Sequence, residues 1–333
     1  MVSEWENPMD LSHIAEYFNT EEAARKFLES LIWPDGPVCP HCGVMDEATE
    51  FASKPGKKSR PGVWKCNACR KQFTVKVGTI FEDSHIPLNK WLLAIHLMCA
   101  SKKGMSSHQL HRMLGVTYKS AWFMTHRIRY AMTELGLLPK LQGTIEIDET
   151  YVGGKVKGQG VKAGKEAKAP VVSLVQRSGE VRSFHVANVT AANLKPIVDE
   201  HVHGWSQVMT DDAVVYPFVL KNQVASHDVV CHSAGEYVRE EPGKSVHTNT
   251  VEGFFSLLKR GVFGTFHHIS KHHLHRYLSE FDFRYNDRKI PDGDRTRHAI
   301  KGVVGKRLTY YETTNREGET ESSQDAGTGP AQG

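Results

Sequence analysis

The chain has 333 residues, of which 39% are hydrophobic and 24% charged, with a formal net charge of +4. That length accommodates one large folded domain with one or two small ones. No apolar run approaches the roughly 20 residues that cross a bilayer, and the acidic start MVSEWENPMD lacks the basic-then-apolar order of a secretion signal. A cytosolic, reducing location without membrane insertion is therefore expected. The mild basicity permits a nucleic-acid partner without requiring one.

Residues 11–35 predict an N-terminal helical segment, with Ile14, Phe18, Ala23, Phe27 and Leu31 at helical spacing. Asn19 or Thr20, ahead of two glutamates, would open its second part. Residues 36–80 contain four of the six cysteines in two close pairs, Cys39/Cys42 and Cys66/Cys69. Two Cys-x-x-Cys units suit four thiolates around a structural Zn²⁺, whose binding would supply much of the folding energy of so small a unit. Reduced or redox-active cysteines are the alternative. The following KQFTVKVGTIF alternates as a strand as far as a turn at Gly78.

Residues 86–138 read as wholly helical. A short helix over SSHQLHRMLGV, a turn around Gly115 and Val116 and a longer helix over TYKSAWFMTHRIRYAMTEL make a helix-turn-helix-like domain. Its last helix is expected to present Lys119, Arg127 and Arg129 to DNA. A helical connector with a solvated basic face is the competing reading.

From 143 to 310 the rhythm changes. TIEIDETYV, APVVSLVQ and EVRSFHVAN predict three strands, the last two joined by the turn RSG. A helix over TAANLKPIVDEHV, a strand over SQVMTD, a helix or apolar turn over DAVVYPFVL and a strand over SHDVVCH follow. Long helices are expected at 249–260 and 268–286. Three antiparallel strands and then strands alternating with helices is the order of an RNase H-like α/β fold: a mixed five-stranded sheet with flanking helices. Residues 312–333 are polar and acidic and predict a disordered tail.

Three acids stand at informative places in this order. Asp148 ends the first strand on the face opposite Ile145 and Ile147, Asp211 ends the fourth, and Glu252 lies in the first turns of a helix. In an RNase H-like sheet they would converge and hold Mg²⁺ or Mn²⁺, one or two ions, for phosphoryl transfer. Each also has a plain structural reading. Asp211 or Asp212 can cap the next helix, Asn249 with Glu252 fits a capping box, and Glu146 and Glu149 can be solvated or ion-paired neighbours. Lys155, Lys157, Lys162, Lys165 and Lys168, in a glycine-rich loop without P-loop spacing, would follow phosphates, as would Lys259 and Arg260. The histidines from His267 to His275 diverge along a helix, so no single metal site is expected there.

The motifs CPHC, CNAC, IDETYVGGK, TDDAVVY, HTNTVEGFFSLLKRG and YLSEFDFRYNDRK together resemble bacterial insertion-sequence DDE transposases. The resemblance is to the group with an N-terminal zinc ribbon and an RNase H-like (ISXO2-like) catalytic domain, and it covers about residues 15–310. It places the catalytic acids on Asp148, Asp211 and Glu252, with Tyr216 five residues after Asp211, and His247 and Asn249 on the polar pair before the last acid. Ala213 and Phe255 depart from the family pattern. The resemblance implies cleavage at transposon ends and attack of the freed 3′-OH on target DNA, with two Mg²⁺ or Mn²⁺ ions. It also implies double-stranded DNA partners (terminal inverted repeats and target), at least a dimer on DNA, and a cytoplasmic, nucleoid-associated location. Two other readings stay open: a non-enzymatic zinc-ribbon DNA-binding regulator, and an RNase H-like nuclease without strand transfer.

Overall fold

A five-stranded sheet forms the centre of the C-terminal half of the chain. The computed structural model describes residues 11–51, 61–134, 136, 138–153 and 168–314. The sheet strands are β4 (Thr144–Val152), β5 (Ala169–Gln176), β6 (Val181–His185), β7 (Gln207–Thr210) and β8 (Ser226–Val229), arranged in the order β6-β5-β4-β7-β8. β4 pairs antiparallel with β5 and parallel with β7, so it is the strand at which the sheet changes direction. This is the expected RNase H-like topology.

The sheet is covered on both faces, which accounts for the unbroken burial of β5 from Ala169 to Val175. Ile145 and Ile147 of β4 enter a core with α6 (Ala191–His201) and α7 (Val215–Leu220), through Leu194, Val198, Tyr216 and Val219. The opposite face packs on α8 (Asn249–Gly261) and α9 (Leu274–Asn286), through Phe254, Leu258, Tyr277 and Phe281. Polar contacts tie α9 to the sheet edge: Ser183 N–H and Oγ each donate to Asp282 at 2.7 Å, and Val181 N–H donates to Asn286 Oδ1 at 2.8 Å.

The N-terminal half builds a separate helical core. α1 (Leu11–Tyr17) and α2 (Glu21–Ile32) are divided where expected, with Thr20 Oγ1 accepting from Ala23 N–H at 3.1 Å as the N-cap of α2. α3 (Leu88–Ala100), α4 (Ser107–Leu114) and α5 (Tyr118–Ala131) follow, with Ser106 and Thr117 capping the last two and Gly115 ending α4 at φ +60°. Two elements join this core from the far end of the chain. Phe283 of α9 and the helix α10 (Asp292–Lys301), through Ala299 and Ile300, pack among Trp91, Ile95 and Ile128. His96 Nδ1 meets Thr296 Oγ1 at 2.9 Å across that contact. The chain after 290 thus returns to the helical half instead of extending the sheet.

Between α2 and α3 lies a small three-stranded sheet, β1 (Ala48–Glu50), β2 (Trp64–Cys66) and β3 (Gln72–Phe73). The strand expected to run on to Gly78 stops at Phe73. Phe73 faces the cysteine cluster while Val75 enters the helical core, and a turn with Val77 N–H bonded to Thr74 O at 3.1 Å redirects the chain between the two. A hairpin of β9 (Val238–Glu241) and β10 (Lys244–His247) adds to the expected elements. A short helix α11 (Tyr310–Thr314) closes the described chain, and the tail from 315, where most of the expected disorder falls, lies outside the described residues.

Candidate active site

The β4–β7 pairing ends at Glu146↔Met209, so the two strands part just before Asp148 and Asp211. A crevice where parallel strands diverge is the usual ligand site of an α/β sheet. Carboxylate oxygens of Asp148, Glu149 and Asp211 lie within 4.8 Å of one another there. Burial pushes Asp148 up to about 7, with Asp211, Glu149 and Glu252 adding to the rise and the Glu149 N–H opposing it. Crowded, half-buried carboxylates with vacant lone pairs are a hard-cation donor set.

Asp211, not Asp212, is the member of this group. Asp211 Oδ1 accepts from Ala213 N–H at 3.1 Å, while Asp212 turns to Ser233 Oγ at 2.7 Å and Cys231 Sγ at 3.6 Å. Neither caps α7, whose N-cap is Val214. Glu149, read from sequence as a solvated neighbour, belongs to the cluster and accepts from the Tyr216 hydroxyl. Burial, and then the charge of Glu149, keep that phenol protonated.

Glu252 stands on the first turn of α8 but outside the 4.8 Å group. Its Oε1 lies 3.3 Å from His232 Nε2 and 3.4 Å from Thr248 Oγ1, and its side chain is 47% exposed. His232, unmarked in the sequence, is thus within ion-pair range of Glu252. Thr248 precedes the helix instead of Asn249, so the expected capping box is replaced by a different arrangement: Glu146 of β4 accepts from Thr250 N–H at 2.7 Å and Val251 N–H at 3.0 Å. His247 Nδ1 lies 3.2 Å from the same Glu146 and 3.3 Å from the Asn249 N–H, and Asn249 is exposed.

The four cysteines converge as expected. Sγ of Cys39 is 3.7 Å from Cys69, and Cys42 is 3.7 Å from Cys66. Disulfide sulfurs stand about 2 Å apart, whereas four thiolates at about 2.3 Å from a tetrahedral centre are separated by roughly 3.8 Å. The two knuckles repeat one geometry: Gly43 and Arg70 each have positive φ and donate to the carbonyl of Cys39 and Cys66, at 2.9 and 3.0 Å. Burial opposes ionisation of Cys39, but the N–H groups of His41 and Cys42 outweigh it and draw the thiol down to about 6. Cys42 runs the other way: the Val44 N–H lowers it, but burial and the three neighbouring thiols raise it to about 12. Four sulfurs gathered at this spacing are the donor set that zinc prefers.

The expected basic faces divide. Lys119, Lys259 and Arg260 are exposed, with the Lys119 ammonium over the Tyr310 ring at 4.5 Å. Arg127 and Arg129 are a correction: both are buried. Arg127 donates to the carbonyls of Leu308, Ile80 and Glu82 at 2.7–2.9 Å. Arg129 Nε donates to Glu280 at 2.6 Å, and Arg284 pairs with the same carboxylate. α9 and the chain near Leu308 cover the C-terminal part of α5, leaving Tyr118 and Lys119 of its first turn exposed. Lys155, Lys157, Lys162 and Lys165 lie outside the described residues. Among the described residues the histidines from His267 to His275 form no metal-ligand group; the His273 ring instead meets Trp122 edge to face and lies tilted against His126.

A five-stranded sheet with acids at its parting strands, behind a four-cysteine ribbon, defines the class: an RNase H-like nucleic-acid-processing fold with a zinc ribbon. Residues 140–286 match the ISXO2-like transposase domain and residues 19–72 the transposase zinc-ribbon domain. The chain thus carries both the catalytic and the zinc-ribbon domain of this group of DDE transposases. An uncharacterized protein in transposable element ISH50 of Halobacterium salinarum is 28% identical over 282 residues, spanning 80% of this chain and 91% of the relative. A solved simian T-cell lymphotropic virus intasome, in complex with PP2A regulatory subunit B56 gamma, aligns with 59% of this chain and 67% of its own at 16% identity, but with a TM-score of 0.24 the likeness carries no argument. No helix among the described residues is long and apolar enough to cross a membrane.

Proposed function

We propose that the protein cuts phosphodiesters at the ends of a transposable element and joins the freed 3′-OH ends to target DNA. The observation that carries this reading is the meeting of Asp148, Glu149 and Asp211 within 4.8 Å at the parting of β4 and β7, with Glu252 beside them on α8. Asp148, Asp211 and Glu252 would hold Mg²⁺ or Mn²⁺, two ions by family resemblance, with Glu149 as an added ligand or a brace against Tyr216. Bound there, divalent ions supply an activated oxygen nucleophile and charge stabilisation at the leaving oxygen.

The chain's own residues do the rest. The strand ends fix the carboxylates on rigid backbone, which keeps the reacting phosphate in line. His232 and Thr248 set the direction of Glu252. His247 Nδ1 accepts from the Asn249 N–H beside Glu146, and its other nitrogen would act toward a scissile phosphate. Lys259 and Arg260, two turns along α8, are exposed for the DNA backbone, as is Lys119, and the loop lysines Lys155, Lys157, Lys162 and Lys165 would add to that surface. The zinc ribbon would present terminal inverted repeats, and pairing two ends requires at least a dimer on DNA. Action on DNA implies work in the cytoplasm at the nucleoid.

The test uses labelled DNA carrying the element's ends, offered both intact and pre-nicked at the 3′ terminus, with Mg²⁺ or Mn²⁺. Nicking of the first and joining of the second to target is expected from wild type and absent from Asp148→Ala. Nicking without any joined product would make the protein a nuclease. DNA binding with neither reaction would make it a regulator.

A further inference from the structure

Glu146, readable from the sequence as an ion-paired neighbour, and Arg177, which pairs with it, connect every element bearing a candidate acid. Glu146 lies two residues before Asp148 on the same face of β4 and is completely buried. A lone carboxylate there would be costly, but every direction around it is answered. Oε2 accepts from Thr250 N–H at 2.7 Å and Val251 N–H at 3.0 Å; Oε1 accepts from Thr250 Oγ1 at 2.8 Å and Arg177 Nε at 2.7 Å, and His247 Nδ1 stands 3.2 Å away. An anion at the free N–H groups of a first helical turn also meets the positive end of the helix dipole.

Arg177 extends the connection. It sits in the turn between β5 and β6, and its other nitrogens reach Ser245 O at 2.6 Å, His247 O at 2.9 Å and Met209 Sδ at 2.9 Å. Met209 is on β7, two residues before Asp211, while Ser245 and His247 are on β10, which leads into α8 and Glu252. One ion pair therefore touches β4, β7, the end of β10 and the start of α8.

We propose that the Glu146–Arg177 pair is a positioning device that holds α8, and with it Glu252, in register with Asp148 and Asp211. This rests on the metal-site reading above. Neither residue is a ligand. Glu146 acts by capping α8 with a charge fixed to the Asp148 strand, and Arg177 acts by keeping that charge paired while bonding the two strand ends beside it. A plain stabilising ion pair would change melting alone. A positioning pair changes the cation site, and does so through Glu252.

The experiment titrates Mn²⁺ into the full-length, zinc-loaded protein, reads free Mn²⁺ by electron paramagnetic resonance, and follows melting by circular dichroism. Glu146→Gln keeps the shape and one acceptor oxygen but removes the charge; Arg177→Lys keeps a charge but cannot span β7 and β10, and it carries the test if the first variant does not fold. Each is expected to weaken Mn²⁺ binding by on the order of tenfold. Combining either with Glu252→Gln is expected to weaken it no further than Glu252→Gln does alone, because both changes act on one ligand. Wild-type affinity in the folded variants, or a loss that adds to that of Glu252→Gln, would overturn the positioning role. A wild type lacking any Mn²⁺ site sensitive to Asp148→Asn would instead overturn the metal-site reading beneath it.

Discussion

Asp148→Asn is expected to make the protein more resistant to heat and at the same time unable to cut DNA. Burial raises the pKa of the Asp148 carboxyl to about 7, well above the ordinary aspartate range. The folded protein therefore binds the proton more tightly than the unfolded chain, and stability is lost as the pH rises from about 4 through 7. Above that window the full penalty of an ionised carboxylate beside Asp211 and Glu149 is present. Asparagine removes the charge and keeps an oxygen for the Glu149 N–H, which donates to Asp148 Oδ1 at 2.7 Å. Without added divalent cations the variant should gain on the order of 4 kcal/mol at pH 8 and almost nothing at pH 4. Cleavage should fall on the order of a thousandfold, equivalent to about 4 kcal/mol of transition-state stabilisation. Thermal melts at the two pH values and a nicking assay check both halves. A variant less stable than wild type at pH 8 would mean that Asp148 is a paired structural acid.

Zinc removal is expected to have the larger structural effect and to confine it to one part of the molecule. The ribbon's apolar cluster consists of Cys39, Cys66 and Phe73 with a rim including Trp33 and Trp64, too little to order it without the metal. Structural zinc contributes roughly 10 kcal/mol in comparable small units. A strong chelator, or Cys66→Ser, should unfold the ribbon while the sheet domain, with its own two cores, melts as before. Trp33 and Trp64 stand edge to face at 6.2 Å, so tryptophan emission reports the loss. Hydrogen exchange should rise across Cys39–Phe73 and stay unchanged in β4 and β5. Uniform exchange across both halves, or no change on chelation, would contradict a metal-built ribbon.

The parts legible in the sequence were those whose signal is local. The two cysteine pairs, the alternation of β4 and the apolar run of β5 each declare their element without reference to the rest of the chain. The hairpin Val238–His247 escaped because ion pairs, not apolar alternation, hold it: Arg239 bridges Glu236 and Glu241, and Lys244 meets Asp228 at 2.6 Å. α10 escaped for a related reason, since its sequence DGDRTRHAIK has few apolar residues and docks through Ala299, Ile300 and the Thr296–His96 contact. Arg127 and Arg129 read as basic surface because the sequence gives their charge but not what covers them; α9, some 150 residues after Arg129, supplies Glu280. Glu146 was the least legible residue of the site. Its partners lie 31 and 104 residues away, so nothing nearby distinguishes it from a solvated acid.

The central claim is that Asp148, Asp211 and Glu252 form one phosphodiester-transfer site, and the adjacent aspartates Asp211 and Asp212 offer its most direct test. Pre-nicked element ends, target DNA and Mg²⁺ are mixed with Asp211→Asn or Asp212→Asn protein, and joined product is measured over time. Asp211→Asn should form none above background, whereas Asp212→Asn, whose carboxylate faces Ser233 outside the cluster, should join ends at a rate near wild type. Equal joining by both variants, or loss confined to Asp212→Asn, would contradict the site.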